Sequence, residues 1–242
     1  MTTPGQTDQI EVAIVRTGVA NMASVVAAFE RLGARTVVTT DPELVAGASH
    51  VMLPGVGAFG AGMGALNAAG LSDALIERIR ADRPTIAICL GLQLLCESSE
   101  ETPGVLGLGV LPVQVTRFAG PGKAAKGATA GPGKAAQGAT AGDNLKVPQL
   151  GWNRVEAPPA ARFLKSGHAY FANSFRIAGL STATRPLQRD VTPHWLAAYS
   201  EYGGTFVAAL ERGNILACQF HPELSGPWGQ DLLKRWLASE VR

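Results

Sequence analysis

The sequence predicts an α/β fold: a central, mostly parallel sheet flanked by helices, with antiparallel additions in the C-terminal half. Three observations predict it. Short β-branched runs alternate with segments of helical period over residues 10–95, the signature of parallel strands covered on both faces. From residue 104 onward the pattern shifts to short strands separated by glycine turns. Finally, 46% apolar against 17% charged residues in a chain of 242 is enough to bury a substantial core.

Taken in order, "IEVAIV" (10–15) reads as a buried strand. Asn21 is a suitable cap for a helix with Met22, Val25, Val26, Phe29 and Leu32 at helical spacing, closed by Gly33. "RTVVTT" (35–40) is a second strand, and "HVMLP" (50–54) a third that runs into glycines. A helix is predicted over 71–84, capped by Ser72, with Leu71, Leu75, Ile76 and Ile79 on one face. "TIAIC" (85–89) is the next strand, and Leu90, Leu94 and Leu95 suit a helix directly after it. Strand and turn follow over 104–118, then "AYFANSFRI", "HWLAAYSEYGG" and "TFVAALERGNILACQF" as short strands, and "GQDLLKRWLASEVR" as a closing amphipathic helix. The expected organisation is a single domain over 1–242. An eleven-residue Gly/Ala/Pro-rich unit, "GPGKAAKGATA", is repeated with one change as "GPGKAAQGATA". It reads as a flexible insertion at about 119–143, because two such copies have almost nothing to bury.

Several classes of function are excluded. A net charge of +2 with scattered Lys and Arg offers no phosphate-tracking stripe, so no nucleic-acid partner is expected. The apolar runs are too short and too interrupted to cross a bilayer, and the N-terminus lacks a basic region before its apolar segment; no membrane association and a cytoplasmic location are expected. Three cysteines without a CxxC pair argue against a disulfide framework or a structural zinc site.

Cys89 stands where a strand gives way to a helix, and Gly91 permits the sharp turn. A helix N-terminus favours a thiolate, and the Leu90 N–H is a natural oxyanion donor there. Such a nucleophile wants an imidazole and a group to orient it. Of four histidines, His50 precedes a buried strand and reads as structural, while His168 and His194 lie in polar turns. His221 in "LACQFHPELSG" ends an apolar strand, and Glu223 at i+2 leaves an extended chain on the same face. "LPGVGAFG" (53–60) follows the third strand without GxGxxG or a Walker lysine, and offers either a plain turn or a second oxyanion N–H.

Together these segments resemble the class I (triad) glutamine amidotransferases, whose fold is flavodoxin-like and whose Cys motif and "HPE" form a Cys-His-Glu triad. Cys89, Gly91 and Gln93 match the motif, with Ala87 in place of its first glycine. Within the class, "PGVGAFG", "CLGLQLL", "GWN", "YFANSF" and "QFHPELSG" resemble, in order, the glutaminase subunits of imidazole glycerol phosphate synthase. The resemblance implies Cys89 as nucleophile, His221 as base and acid, and Glu223 as orienter. It implies oxyanion N–H groups from Leu90 and from Val56–Gly57, and glutamine held by Gly55, Gln93, Glu101 and Ser174. It also implies hydrolysis of L-glutamine without a cofactor or metal. The partner would be a (β/α)8-barrel cyclase, in a heterodimer, with Asn21, Trp152 and Asn153 at the interface and ammonia passed across it.

The sequence departs from that pattern at Gln149 and Asn173, each in place of a histidine, and at Phe175 and Leu224. The alternatives are a glutaminase of pyridoxal phosphate or anthranilate synthesis, or a non-catalytic scaffold of the same fold. "PGVGAFG" is unlike the "GGES" or "PGPG" turns expected of the first two, and the intact triad speaks against the third.

Overall fold

The computed structural model describes residues 9–17, 22–118, 145–179 and 195–240. Asn21, His194 and the duplicated insertion lie outside the described residues.

Seven strands form the main sheet: β1 (Glu11–Val15), β2 (Arg35–Thr39), β3 (His50–Leu53), β4 (Thr85–Ile88), β10 (Leu196–Glu201), β11 (Thr205–Arg212) and β12 (Ile215–Cys218). Their order is β10-β11-β12-β4-β3-β1-β2. The pairs from β12 through β2 are parallel and the two involving β11 are antiparallel, as the sequence predicts. The short strands β5 (Cys96–Ser99), β6 (Leu111–Arg117) and β9 (Phe175–Arg176) form a second sheet, and β7 (Gln149–Val155) with β8 (Gly167–Asn173) forms an antiparallel ribbon.

Alternate residues of the parallel strands feed two cores, because successive side chains leave opposite faces. Ile14, Met52, Ile86 and Cys218 pack against α1 (Met22–Arg31), α6 (Gly226–Leu237) and the inner side of the ribbon. Val15, Val51, Leu53 and Ala87 pack against α3 (Phe59–Ala68), α4 (Leu71–Arg80) and α5 (Leu90–Leu94). Phe171 of the ribbon stacks edge-on with Phe206 of β11 and with Phe220, which seats β8 over the carboxyl ends of the strands.

The elements differ from expectation in several places, among them β5 and β7, where no strand was predicted. The helix predicted over 71–84 ends at Arg80, and Ser72 does not cap it; its hydroxyl donates to Asn67 while Gly70 is the cap residue. The closing helix starts at Gly226, three residues before the predicted "GQDLL" segment, with a proline in its first turn. A short helix, α2 (Pro42–Gly47), was not predicted, although Asp41 accepts a hydrogen bond from the Glu43 N–H as an N-cap with proline just inside. Six residues are too few for periodicity to register. The C-terminal carbonyls of α2 meet Arg78, which is 2% exposed and donates to Val45, Ala48, Ser49 and Pro84 oxygens and to Thr85 Oγ1. His50, read as structural, is the buried first residue of β3 and packs edge-on against Trp236 at 5.1 Å. Burial, then the Arg78 charge, pushes its imidazole down to about 4, so it is neutral.

Candidate active site

β3, β4 and β12 are neighbours in the sheet, so the loops leaving their carboxyl ends emerge side by side. That end is where open α/β sheets place ligands. The three loops carry Gly55–Gly57, Cys89 and Gln219–Glu223. Cys89, His221, Gly55, Val56, Gly57, Leu90, Gln93, Glu101 and Ser174, all expected at the site from sequence, line one cavity.

Cys89 sits at φ +53, ψ −106, one of two non-glycine residues with positive φ among the described ones. Such strain persists only where its surroundings hold it. Here the Cys89 N–H donates to the last carbonyl of β12, Cys218, at 2.7 Å. The helix that follows, α5, has only five residues, so its dipole is small and the charged neighbour of the sulfur is His221.

His221 is held by its backbone: its N–H donates to Tyr170 at 2.9 Å and its carbonyl accepts from Ser225 Oγ at 2.6 Å. The His221 Nδ1 lies 2.8 Å from Glu223 Oε1, with both side chains almost fully buried. Glu223 reaches the ring through a 3₁₀ turn over Pro222–Leu224, not along the extended strand expected from its i+2 spacing. Proline at the first position of the turn presets its φ, and only His221 itself remains extended. Burial lowers the imidazole pKa, but hydrogen bonds to Cys89 and Glu223, with the charges of both, outweigh it and raise the ring to about 10. An imidazolium beside sulfur favours the thiolate, the nucleophilic form of a cysteine.

Burial pushes the Cys96 and Cys218 thiols upward, leaving both as protonated core residues. Cys96 is the buried cysteine of a strand start, and Cys89 alone of the three faces the cavity.

The two segments expected to supply oxyanion donors touch each other. The Leu90 N–H, expected to face a substrate, donates to the Gly55 carbonyl at 3.3 Å. A Cβ on Gly55 would overlap Leu90 and the Gly91 nitrogen, and one on Gly91 would overlap the Leu53 carbonyl. Both glycines therefore exist for close approach of one backbone to another.

Of the residues expected to hold substrate, Gln93 directs its Nε2 to Gln219 Oε1 (3.0 Å) and to the Phe175 carbonyl (3.2 Å). Glu101, which lines the cavity, accepts from the Phe59 N–H at 2.7 Å. Gln219 escaped the sequence reading: its Nε2 donates to Cys89 Sγ at 3.6 Å. Gln219 and His221 stand two apart, but residues 219 and 220 bend away from β12, so only the fold shows Gln219 reaching the sulfur. Trp152 is 58% exposed on the outer face of the ribbon, beside Leu150 at 69%. Asn153 is instead tied internally, donating to Glu201 O and accepting from the Arg154 N–H. His168 is exposed on β8, away from the cavity. Among the described residues no His/Cys/Asp/Glu group could hold a metal ion, and no helix is long and apolar enough to cross a membrane.

A strained cysteine at a strand–helix turn, its imidazole and a carboxylate define the site of a triad amidotransferase, and the family model of glutamine amidotransferase class-I matches residues 13–239. The chain belongs to that family. Within it, the chain is 37% identical over 229 residues to imidazole glycerol phosphate synthase subunit HisH of Syntrophotalea carbinolica, covering 93% of this chain and 98% of that protein. It is 35% identical to the chloroplastic imidazole glycerol phosphate synthase hisHF of Arabidopsis thaliana, over 93% of this chain; the chain spans 34% of that longer protein. A solved structure described as a glutamine amidotransferase superposes with a TM-score of 0.63 at 19% identity, covering 93% of this chain and 96% of that one, a likeness of fold. The chain is thus a member of the HisH family of subunits.

Proposed function

We propose that this chain is the glutaminase subunit of an imidazole glycerol phosphate synthase, a single-domain cytoplasmic enzyme of histidine biosynthesis that hydrolyses L-glutamine to glutamate and ammonia. The observation that carries the chemistry is His221 held between Cys89 and Glu223, 2.8 Å from the carboxylate. Cys89 Sγ attacks the side-chain amide carbon. His221, its ring oriented by Glu223, gives its proton to the amide nitrogen as the C–N bond breaks. Ammonia leaves, and a γ-glutamyl thioester remains on sulfur. Neutral His221 then takes a proton from the water that attacks the thioester, and glutamate and the starting pair are regenerated.

The developing oxyanion needs N–H donors. In the resting arrangement the Gly55 carbonyl occupies the Leu90 N–H. Turning the Gly55–Val56 peptide would withdraw that carbonyl, free Leu90 and present the Val56 N–H, since the C=O and N–H of one peptide point in opposite directions. Gly57, at φ +110, supplies the backbone freedom beside it. Gly55, Gln93, Glu101 and Ser174 would hold the glutamine, Gln93 partly through Gln219. No cofactor takes part in this scheme.

The partner is a (β/α)8-barrel cyclase, docked over the ribbon face that bears Trp152 and Leu150, with Asn153 bracing the ribbon from within. Ammonia passing to it would form imidazole glycerol phosphate and the aminoimidazole carboxamide ribonucleotide. The test is glutamine hydrolysis by the chain alone and with the cyclase and its nucleotide ligand. Weak activity that rises strongly on addition is expected; equal rates would sink the coupling.

A further inference from the structure

The ribbon carries three buried polar atoms without a partner. Gln149 (3% exposed) and Asn173 (5%) are directly opposed in the β7–β8 register, so their side chains leave the same, inner face as close neighbours. Neither the Nε2 nor the Oε1 of Gln149 has a hydrogen bond, nor has the Oδ1 of Asn173, whose Nδ2 donates to the Phe175 carbonyl at 2.9 Å. Buried polar atoms are otherwise almost always satisfied, because an unmade hydrogen bond leaves the group's desolvation uncompensated. Two opposed amides with three such atoms are therefore built for something besides the ribbon. Their place says for what: Asn173 lines the cavity with Cys89 and His221, and the carbonyl of the preceding Ala172 lies 4.0 Å from the Cys89 sulfur.

The unpartnered set is two acceptors and one donor. Neutral ammonia matches it, with N–H groups for both oxygens and a lone pair for the Nε2 donor. The substrate's α-ammonium has no lone pair, and its carboxylate would face two oxygens. Ammonium lacks the lone pair as well, so the pair selects the unprotonated, nucleophilic molecule. Water matches the count too, and the experiment must separate the two. Resting on the glutaminase reading above, we propose that Gln149 and Asn173 form the site that receives ammonia after it leaves the glutamine amide at Cys89. The site retains it against loss through the cavity mouth.

The measurement is made on the whole complex with cyclase, glutamine and nucleotide ligand, following glutamate and cyclised product together. Gln149→Met preserves length and removes both polar atoms. Glutamate is expected to outrun cyclised product by about fivefold or more, as two lost hydrogen bonds would allow. Gln149→His, which restores an acceptor, is expected to bring the ratio back toward that of the unmodified chain. With ammonium salt as nitrogen source, all variants should cyclise equally. If Gln149→Met does not fold, Gln149→Asn, which withdraws the amide by one methylene, reads the same ratio. Rates of glutamate and product that fall together, at an unchanged ratio, would overturn the proposal and leave the pair as a water-satisfied element of the ribbon. Absence of glutamate formation by the unmodified complex would overturn the underlying glutaminase reading instead.

Discussion

The backbone N–H of Leu90 donates to the carbonyl of Gly55 at 3.3 Å, so the donor proposed for the oxyanion is already engaged by the loop that follows β3. This contact links the two loops that follow β3 and β4, and makes the resting site self-blocked. It also separates two jobs on one peptide: the Gly55 carbonyl closes the site, and the Val56 N–H is the group that would open for business on the substrate.

That separation is testable by Val56→Pro, which deletes the residue 56 N–H and leaves the Gly55 carbonyl. Val56 is 40% exposed, and the resting contact does not use its N–H. The expected result, in the cyclase complex, is a loss of about 10²–10³ in kcat, the usual cost of one oxyanion donor. The melting temperature should stay near that of the unmodified chain. Full activity would remove Val56 from the mechanism.

A second prediction concerns pH. The folded imidazole of His221 titrates at about 10, above its ordinary 6.5, so the fold binds a proton that the unfolded chain releases earlier. Its contribution to stability is complete below about 6.5 and is lost as pH rises through about 10. Imidazole NMR should find a protonated His221 at neutral pH. Cys89→Ala should bring that titration down, because two of the causes that raise it involve Cys89. An unmoved titration would dissociate the ring from the sulfur.

Thiol chemistry separates the three cysteines. A glutamine-mimicking diazo-ketone is expected to label Cys89, while Cys96 and Cys218, both fully buried, stay unmodified in the folded chain. Mass spectrometry of peptides reads the outcome directly, and modification of Cys218 instead would displace Cys89 from the nucleophile's role.

Trp152 presents an exposed indole on the ribbon's outer face. Trp152→Ala is expected to weaken cyclase binding by about 2 kcal/mol, as for an aromatic anchor. Hydrolysis by the isolated chain should not change. Titration calorimetry against the cyclase checks the first and a glutamate assay the second.

Arg78 tests the scaffold. Truncation by Arg78→Ala removes a donor from the Val45, Ala48, Ser49 and Pro84 carbonyls, of which Ala48 keeps Arg83 and Pro84 keeps the Val51 N–H. The expected loss is about 3 kcal/mol or more in urea unfolding, since each unmade buried bond costs on the order of 1–3 kcal/mol. A change below about 0.5 kcal/mol, typical of a surface position, would contradict the packing described.

Much of the fold could be read in the sequence because its strands are short β-branched runs and its longer helices carry one apolar face. The elements that escaped were short ones without room for a period, such as β5 and α2, and β7, which turns its apolar Leu150 and Trp152 outward against the usual pattern. α2 has six residues, and its Asp41–Pro42 start was the available clue. Ser72 looked like a cap by type alone, yet its hydroxyl turned to Asn67. Cys89, His221 and Glu223 stood out by their motifs, whereas Gln219 was hidden inside the same segment because an amide at a strand end has no distinctive chemistry until its neighbour is known.

By itself the sequence determined the alternation that makes a parallel sheet, the Cys89, His221 and Glu223 trio, and the glycine loop that accompanies them. These are local properties: period, residue type and spacing along the chain. Only the tertiary structure decided that β3, β4 and β12 lie side by side, which brings residues 55, 89 and 221 to one cavity. It alone decided that Leu90 and Gly55 are bonded to each other, and that Gln149 and Asn173 face inward without partners. The reason is physical: a hydrogen-bond donor or acceptor is written in the sequence, but whether it is satisfied depends on atoms that folding brings from elsewhere in the chain.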